Sequence, residues 1–193
     1  MKFSYSLLKK LAPKISSKEA LIEKLNFHAF EAVDVPGDTI EIAITPNRFA
    51  DASSHWGMAQ IAVALFGGTL GKLGGRELKV EKKGTAPEIK VTSRKSCIRY
   101  AGRYFEIPSQ GQSPDWLKEI LTACGMRSIN AVVDVMNYVM LETGQPLHAF
   151  DAELVEGGIE VRNAKAGEEM RTIDNQDFKL GESDLVIADQ KGP

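Results

Sequence analysis

The sequence predicts an α+β fold: a small N-terminal α/β unit over residues 1–83, then a unit over 87–193 in which a mixed sheet is packed by two helices. Three observations carry this. Ile40, Ile42 and Ile44 alternate along 39–45, the period of two expected of a strand with one buried face. Val132, Val133, Val135, Met136, Val139 and Met140 recur at spacings of three and four, the period of a helix. A glycine- and lysine-rich stretch, Gly68 to Glu88, separates the halves and places a boundary near Gly84.

The elements follow in chain order. Lys2 to Leu7 reads as a strand leading into a short helix. Ser16 and Glu19 have capping-box spacing for a second helix through about Leu25, with Leu21, Ile22 and Leu25 on its buried face. The 39–45 strand is expected to pair with the N-terminal strand and to stop at Pro46-Asn47. Asp51, Ser53 or Ser54 can cap the helix that follows, and Gly67-Gly68 can end it.

In the second half, Ile89 to Thr92 and Tyr100 to Ile107 read as strands. Ser113-Pro114-Asp115 opens a helix over 114–124, with Ser113 as N-cap, Pro114 first in the helix and Gly125 ending it. A second helix spans 129–143, closed by Gly144 and blocked from continuing by Pro146. Ile159 to Asn163 and Asp184 to Ala188 read as later strands.

Composition excludes several classes. Hydrophobic content of 43% with 26% charged residues fits a globular chain of one medium or two small domains. The formal net charge of -2 argues against a dedicated nucleic-acid wrapper, so no DNA partner is expected. Cys97 and Cys124 form no CxxC, and His28, His55 and His148 lack any HExxH or Cys/His spacing, so no metal site is predicted. There is no GxSxG elbow and no phosphate-binding loop. Without a signal peptide or a long apolar span, the expectation is no membrane association and a cytoplasmic setting. Charge is uneven: Lys90, Arg94, Lys95, Arg99 and Arg103 fall between Glu88 and Glu106 with no acid among them. Such a run is either a solvated strand face or a surface for phosphates.

The most informative run is 125–151, GMRSINAVVDVMNYVMLETGQPLHAFD. Asn130, Asp134, Asn137 and Tyr138 share one helix face, which is either simply solvated or part of a site. The turn that follows brings Gln145, Pro146 and His148 close to the helix end; His148 alone reads equally as a hydrogen-bonded core histidine.

This run resembles a segment of the bacterial phenylalanine–tRNA ligase beta subunit family, with Ser128, Ala131 and Met136 where the family carries proline, asparagine and threonine. The segment 38–68 resembles a second family motif, with Phe49 at a proline position and one extra residue before the serine. The resemblance covers the chain but only the N-terminal part of the family's length. Between Asn26 and Asp38 there is no room for the oligonucleotide-binding barrel that most members insert there.

The resemblance implies that 87–193 is the first part of an editing domain, which hydrolyses tyrosine wrongly joined to the phenylalanine tRNA. It implies an editing pocket at Asn137 and His148, with Met136, Tyr138 and Gln145 nearby, and a pocket made less polar by Met136. It also implies an alpha-subunit partner, tRNA(Phe), a heterotetramer, and ATP and magnesium on the alpha subunit, with no cofactor in this chain. A fragment of that kind is expected to be inactive alone and to expose apolar surface at Leu147 and Val186. Two alternatives stay open: a free-standing trans-editing aminoacyl-tRNA hydrolase, and a non-catalytic RNA- or protein-binding module.

Overall fold

A computed structural model describes residues 1–75, 87–107, 111–172 and 175–193. The α+β class holds, with helices and small mixed sheets along the chain. Two compact units form, each from two stretches of chain: Met1–Leu78 with Pro108–Ala149, and Lys79–Ile107 with Phe150–Pro193.

The first unit begins with strand β1 (Lys2–Ser4), which turns directly into α1 (Tyr5–Leu11). Ser4 makes the turn: its hydroxyl accepts from the Leu7 N–H and donates to the Asp38 carboxylate. Helix α2 (Lys18–His28) is capped by Ser17, one residue later than expected, because the Ser17 side chain is the one that accepts from the Ala20 N–H. Leu21 and Leu25 are fully buried. Strand β2 (Ala32–Val35), which the sequence patterning did not mark, lies where a barrel had no room. The Asn26 side chain pins it, donating to and accepting from the Ala32 backbone at 2.8 Å each way.

Strand β3 (Thr39–Ile42) is the middle of an antiparallel sheet ordered β1-β3-β2, with Phe3 opposite Ile40 and Ala32 opposite Ile42. The expected pairing with the N-terminal strand is therefore present. The strand is shorter than 39–45 because its register with β1 ends at Glu41 and its register with β2 at Ile42.

A 3-10 turn over Pro46–Arg48 and the short α3 (Phe49–Ala52) lead to α4 (His55–Phe66). Ser54 is the cap, accepting from the Gly57 N–H at 3.1 Å, and Gly67 closes the helix. Gly57 is required by close approach: a Cβ there would stand 1.9 Å from the Asp51 carbonyl oxygen. The supposed linker is partly tied down, since the Gly71 N–H donates to the Leu11 carbonyl at 2.7 Å.

Helices α5 (Asp115–Ala123) and α6 (Ala131–Thr143) complete this unit. That differs from the expected division near Gly84, a point that lies outside the described residues. The reason is the core. Phe3, Leu7, Leu8, Leu11, Ile40 and Met58 form one buried cluster, and Ile120 of α5 and Tyr138 of α6 pack against it. The Thr39 hydroxyl also donates to the Ala123 carbonyl at 2.9 Å. A large apolar core recruits helices across sequence distance because burial, at about 25 cal/mol per Å², does not depend on chain order.

The second unit is a three-stranded sheet ordered β4-β5-β8, built from β4 (Ile89–Val91), β5 (Ile159–Asn163) and β8 (Leu185–Ala188). β4 runs parallel to β5 and β8 antiparallel. A hairpin of β6 (Glu169–Arg171) and β7 (Asp177–Lys179) was not foreseen, because each strand is only three residues long and carries a single apolar side chain, Met170 or Phe178. The expected strand over Tyr100 to Ile107 does not form: the segment pairs with no described strand. Val186, expected at an exposed surface, is buried with Ala164 and Ala188.

Arg162 anchors this unit. It is buried, and its guanidinium donates to both Glu168 oxygens, at 2.8 and 2.6 Å. The Arg162 hydrogen bonds and that of the Lys165 N–H hold the Glu168 carboxyl down at about 2. Arg162→Ala removes both guanidinium donors and leaves the Glu168 carboxylate with the Lys165 N–H alone. Amide hydrogen exchange along β5 is expected to speed up about tenfold or more; unchanged exchange there would show the pair to be dispensable.

Candidate functional site

α6 carries most of the candidate residues, and its position follows from four polar anchors. Asn130 caps it in an extended conformation, its side chain accepting from the Val133 N–H at 3.0 Å. Asp134, one turn on, is fully buried. One carboxylate oxygen accepts from the Ser113 and Ser128 hydroxyls, at 2.5 Å each, and the other from the Ile129 N–H at 2.8 Å. Burial pushes the Asp134 carboxyl up, but these three bonds outweigh it and hold it below the ordinary carboxylate value.

Ser113 is thus not the cap of α5. Pro114 occupies that position, and the Ser113 hydroxyl is committed to Asp134. Ser128 supplies the second hydroxyl.

The third anchor is the Tyr138 phenol, which donates to Glu142 at 2.9 Å; Glu142 is itself buried. Burial, followed by Glu142, raises the Tyr138 hydroxyl well above its usual range. Trp116 of α5 meets the Tyr138 ring edge-on, with centroids 5.5 Å apart.

The fourth is His55 of α4, which the sequence did not single out. Its Nδ1 donates to the Leu141 carbonyl at 2.8 Å and its Nε2 accepts from the Ser4 N–H at 2.9 Å. These two partners define the neutral tautomer. Burial lowers its pKa to about 4. The Cys124 thiol stands 3.8 Å from Nε2, and burial pushes that thiol up to about 11. No local pattern could have revealed this junction, since its partners come from β1, α4 and the end of α6.

These anchors settle how α6 is used. The expected apolar stripe is not its buried face. Val135 is exposed, and Val132, Val133, Met136, Val139 and Met140 are only half-buried. The face with Asp134 and Glu142 points inward instead, because its polar groups find partners there. The polar face is therefore not simply solvated.

Asn137 and Met136 are half-buried on α6. The helix ends with Gly144 in the left-handed region, φ 81°, as expected, and the Gln145 N–H donates to the Thr143 hydroxyl at 3.2 Å. Gln145, Leu147 and His148 beyond it are exposed. An open recess on α2, lined by Ala20, Glu23, Lys24, Asn26, Phe27 and His28, includes none of these residues. No group of three or more His, Cys, Asp or Glu among the described residues is arranged to hold a metal ion. No helix among them is long and apolar enough to cross a membrane.

In the second unit, Lys90 lies on β4 and pairs with Glu88 at 3.4 Å. Arg94, Lys95, Arg99 and Arg103 follow it, all exposed.

Residues 96–193 match the family of B3/4 domains. The chain is also similar to phenylalanine–tRNA ligase beta subunits. That of Bdellovibrio bacteriovorus is 46% identical over 158 residues, 80% of this chain and 19% of the relative. That of Anaeromyxobacter dehalogenans is 44% identical over 170 residues, 83% of this chain and 20% of the relative. That of Geobacter metallireducens is 45% identical over 172 residues, 87% and 21%. The chain spans about a fifth of the length of these relatives.

Proposed function

Because this chain belongs to the B3/4-domain family, we propose that it supplies the editing scaffold of a phenylalanine–tRNA ligase beta subunit, where tyrosine wrongly esterified to tRNA(Phe) is hydrolysed. The observation that carries this is the B3/4 match together with beta-subunit similarity over most of the chain. The physical need is clear. Phenylalanine and tyrosine differ by one hydroxyl, and an apolar pocket rejects an isostere with an added hydroxyl by only about a hundredfold. A second, hydrolytic site makes up the difference.

In this reading Asn137 orients the misacylated end by hydrogen bonding, from a helix that Asp134, Glu142 and His55 hold rigid. His148 contacts the terminal ribose or places the attacking water. Tyr138 is committed to Glu142, so it lends support more than a free phenol. Gln145 offers an amide at the rim, and Met136 makes that wall apolar. Synthesis, with its ATP and magnesium, belongs to the alpha subunit of a heterotetramer in the cytoplasm.

The test replaces the matching segment of a relative's beta subunit with this chain and assembles it with its alpha subunit. The chimera is expected to clear Tyr-tRNA(Phe). Asn137→Ala and His148→Ala are each expected to slow that clearance about tenfold or more, leaving phenylalanylation unchanged. A chimera that charges phenylalanine but leaves Tyr-tRNA(Phe) intact sinks the reading. The chain alone is expected to leave the ester at its spontaneous rate, because His148 and Gln145 stand exposed and bulk water is not excluded. Turnover by the chain alone, lost on His148→Ala, would favour a free-standing hydrolase.

A further inference from the structure

The segment from Ser93 to Phe105 carries Arg94, Lys95, Arg99 and Arg103 and no acid. It is fastened at two places. The Thr92 and Ser93 N–H groups donate to the Val161 carbonyl at 3.0 and 3.4 Å, and the Ser93 hydroxyl donates to Asn163. The Ser96 and Cys97 N–H groups then donate back to the Ser93 carbonyl at 3.1 and 2.9 Å, folding 93–97 into a turn. Further on, Gly102 passes so near Ile89 of β4 that a Cβ there would meet its Cδ1 at 2.5 Å.

What this fastened segment presents is unusual. None of its four cationic heads forms an ion pair with a described residue. Interleaved with them, Ile98 is 90% exposed, Tyr104 45% and Phe105 59%. Clustered unpaired cations repel one another, and exposed rings forgo burial. A partner that relieves both carries regularly spaced anions and flat apolar faces. Phosphates and unstacked bases have that chemistry, and a duplex hides the base faces that a single strand offers.

We propose that the segment 93–105 is a contact for unpaired RNA. Arg94, Lys95, Arg99 and Arg103 meet phosphates, and Tyr104 and Phe105 stack on bases. The choice of RNA over DNA rests on the aminoacyl-tRNA reading above.

The experiment uses the full chain and a fluorescein-labelled twelve-nucleotide strand of alternating C and A, followed by anisotropy over a salt series. The same sequence is tested as an RNA duplex and as single-stranded DNA. The RNA strand is expected to bind about tenfold tighter than the duplex, whose base faces are stacked away, and more tightly than the DNA strand, which lacks the 2′-hydroxyls. Changing Arg94, Lys95, Arg99 and Arg103 together to Gln is expected to flatten the logarithmic salt slope by about 3, from roughly 0.7 per phosphate contact. Tyr104→Ala with Phe105→Ala is expected to weaken binding about tenfold with the slope unchanged. All six side chains are exposed, so circular dichroism should match the parent and confirm folding. Four results each overturn the proposal: no binding, equal binding to duplex or DNA, full binding by the four-Gln variant, or salt-insensitive self-association removed by the ring changes. The oligonucleotide carries no ester, so failure of the editing reading leaves this measurement intact.

Discussion

Asp134→Ala is expected to cost the first unit about 4 kcal/mol, because it removes a buried acceptor from three donors at once. The Ser113 hydroxyl loses its acceptor in a buried place, and the Ser128 hydroxyl and the Ile129 N–H lose theirs in partly buried ones. Asp134→Asn keeps one acceptor oxygen but turns an amide toward two hydroxyls, so about half that loss is expected. Urea unfolding followed by tryptophan fluorescence is the right measurement, since both tryptophans, Trp56 and Trp116, belong to the first unit. An alanine variant within about 1 kcal/mol of the parent would mean that the network contributes little.

The second large effect depends on pH. His55 is neutral in the folded protein, with a pKa lowered from the ordinary 6.5 to about 4 by burial, against the opposing pull of the Leu141 carbonyl and of Asp38. The unfolded chain therefore binds a proton on this residue that the folded chain refuses. The stabilisation is complete above 6.5 and is lost as pH falls toward 4. In that window stability is expected to fall by about 1.4 kcal/mol per pH unit, reaching about 3 kcal/mol near pH 4.

The upper part of the window isolates His55. Asp134 and Glu168 are also depressed, but their contributions fade only below the ordinary carboxylate values of 3.8 and 4.5. The nearby Cys124 thiol, raised to about 11, stays neutral throughout. His55→Gln should flatten the profile between pH 6.5 and 5 while lowering stability at pH 7. A variant that keeps the parent's slope there would assign the titration to another group.

Both effects come from residues whose importance is not local, and this marks what the sequence could reveal. Helix and strand positions were legible to within a residue or two where signals lie inside the element. Ser54 caps α4, Gly144 closes α6, and the 159–163 strand stands where β-branched residues placed it. The pairing of β1 with β3 was also legible, because each carries an apolar face that needs another strand. The candidate run 125–151 and the resemblance to phenylalanine–tRNA ligase beta subunits could likewise be read from residues alone.

Tertiary structure decided the rest. It turned the Asp134 face of α6 inward, because donors twenty-one and six residues upstream make a buried carboxylate favourable. A helical wheel has no access to such partners. It gathered α5 and α6 onto the N-terminal core, because apolar burial ignores sequence order. It left 100–107 without a strand partner among the described residues, since a strand is a property of two chains side by side and alternation supplies only one of them. It made His55 a neutral junction, because burial and two hydrogen bonds from distant elements set a histidine's charge.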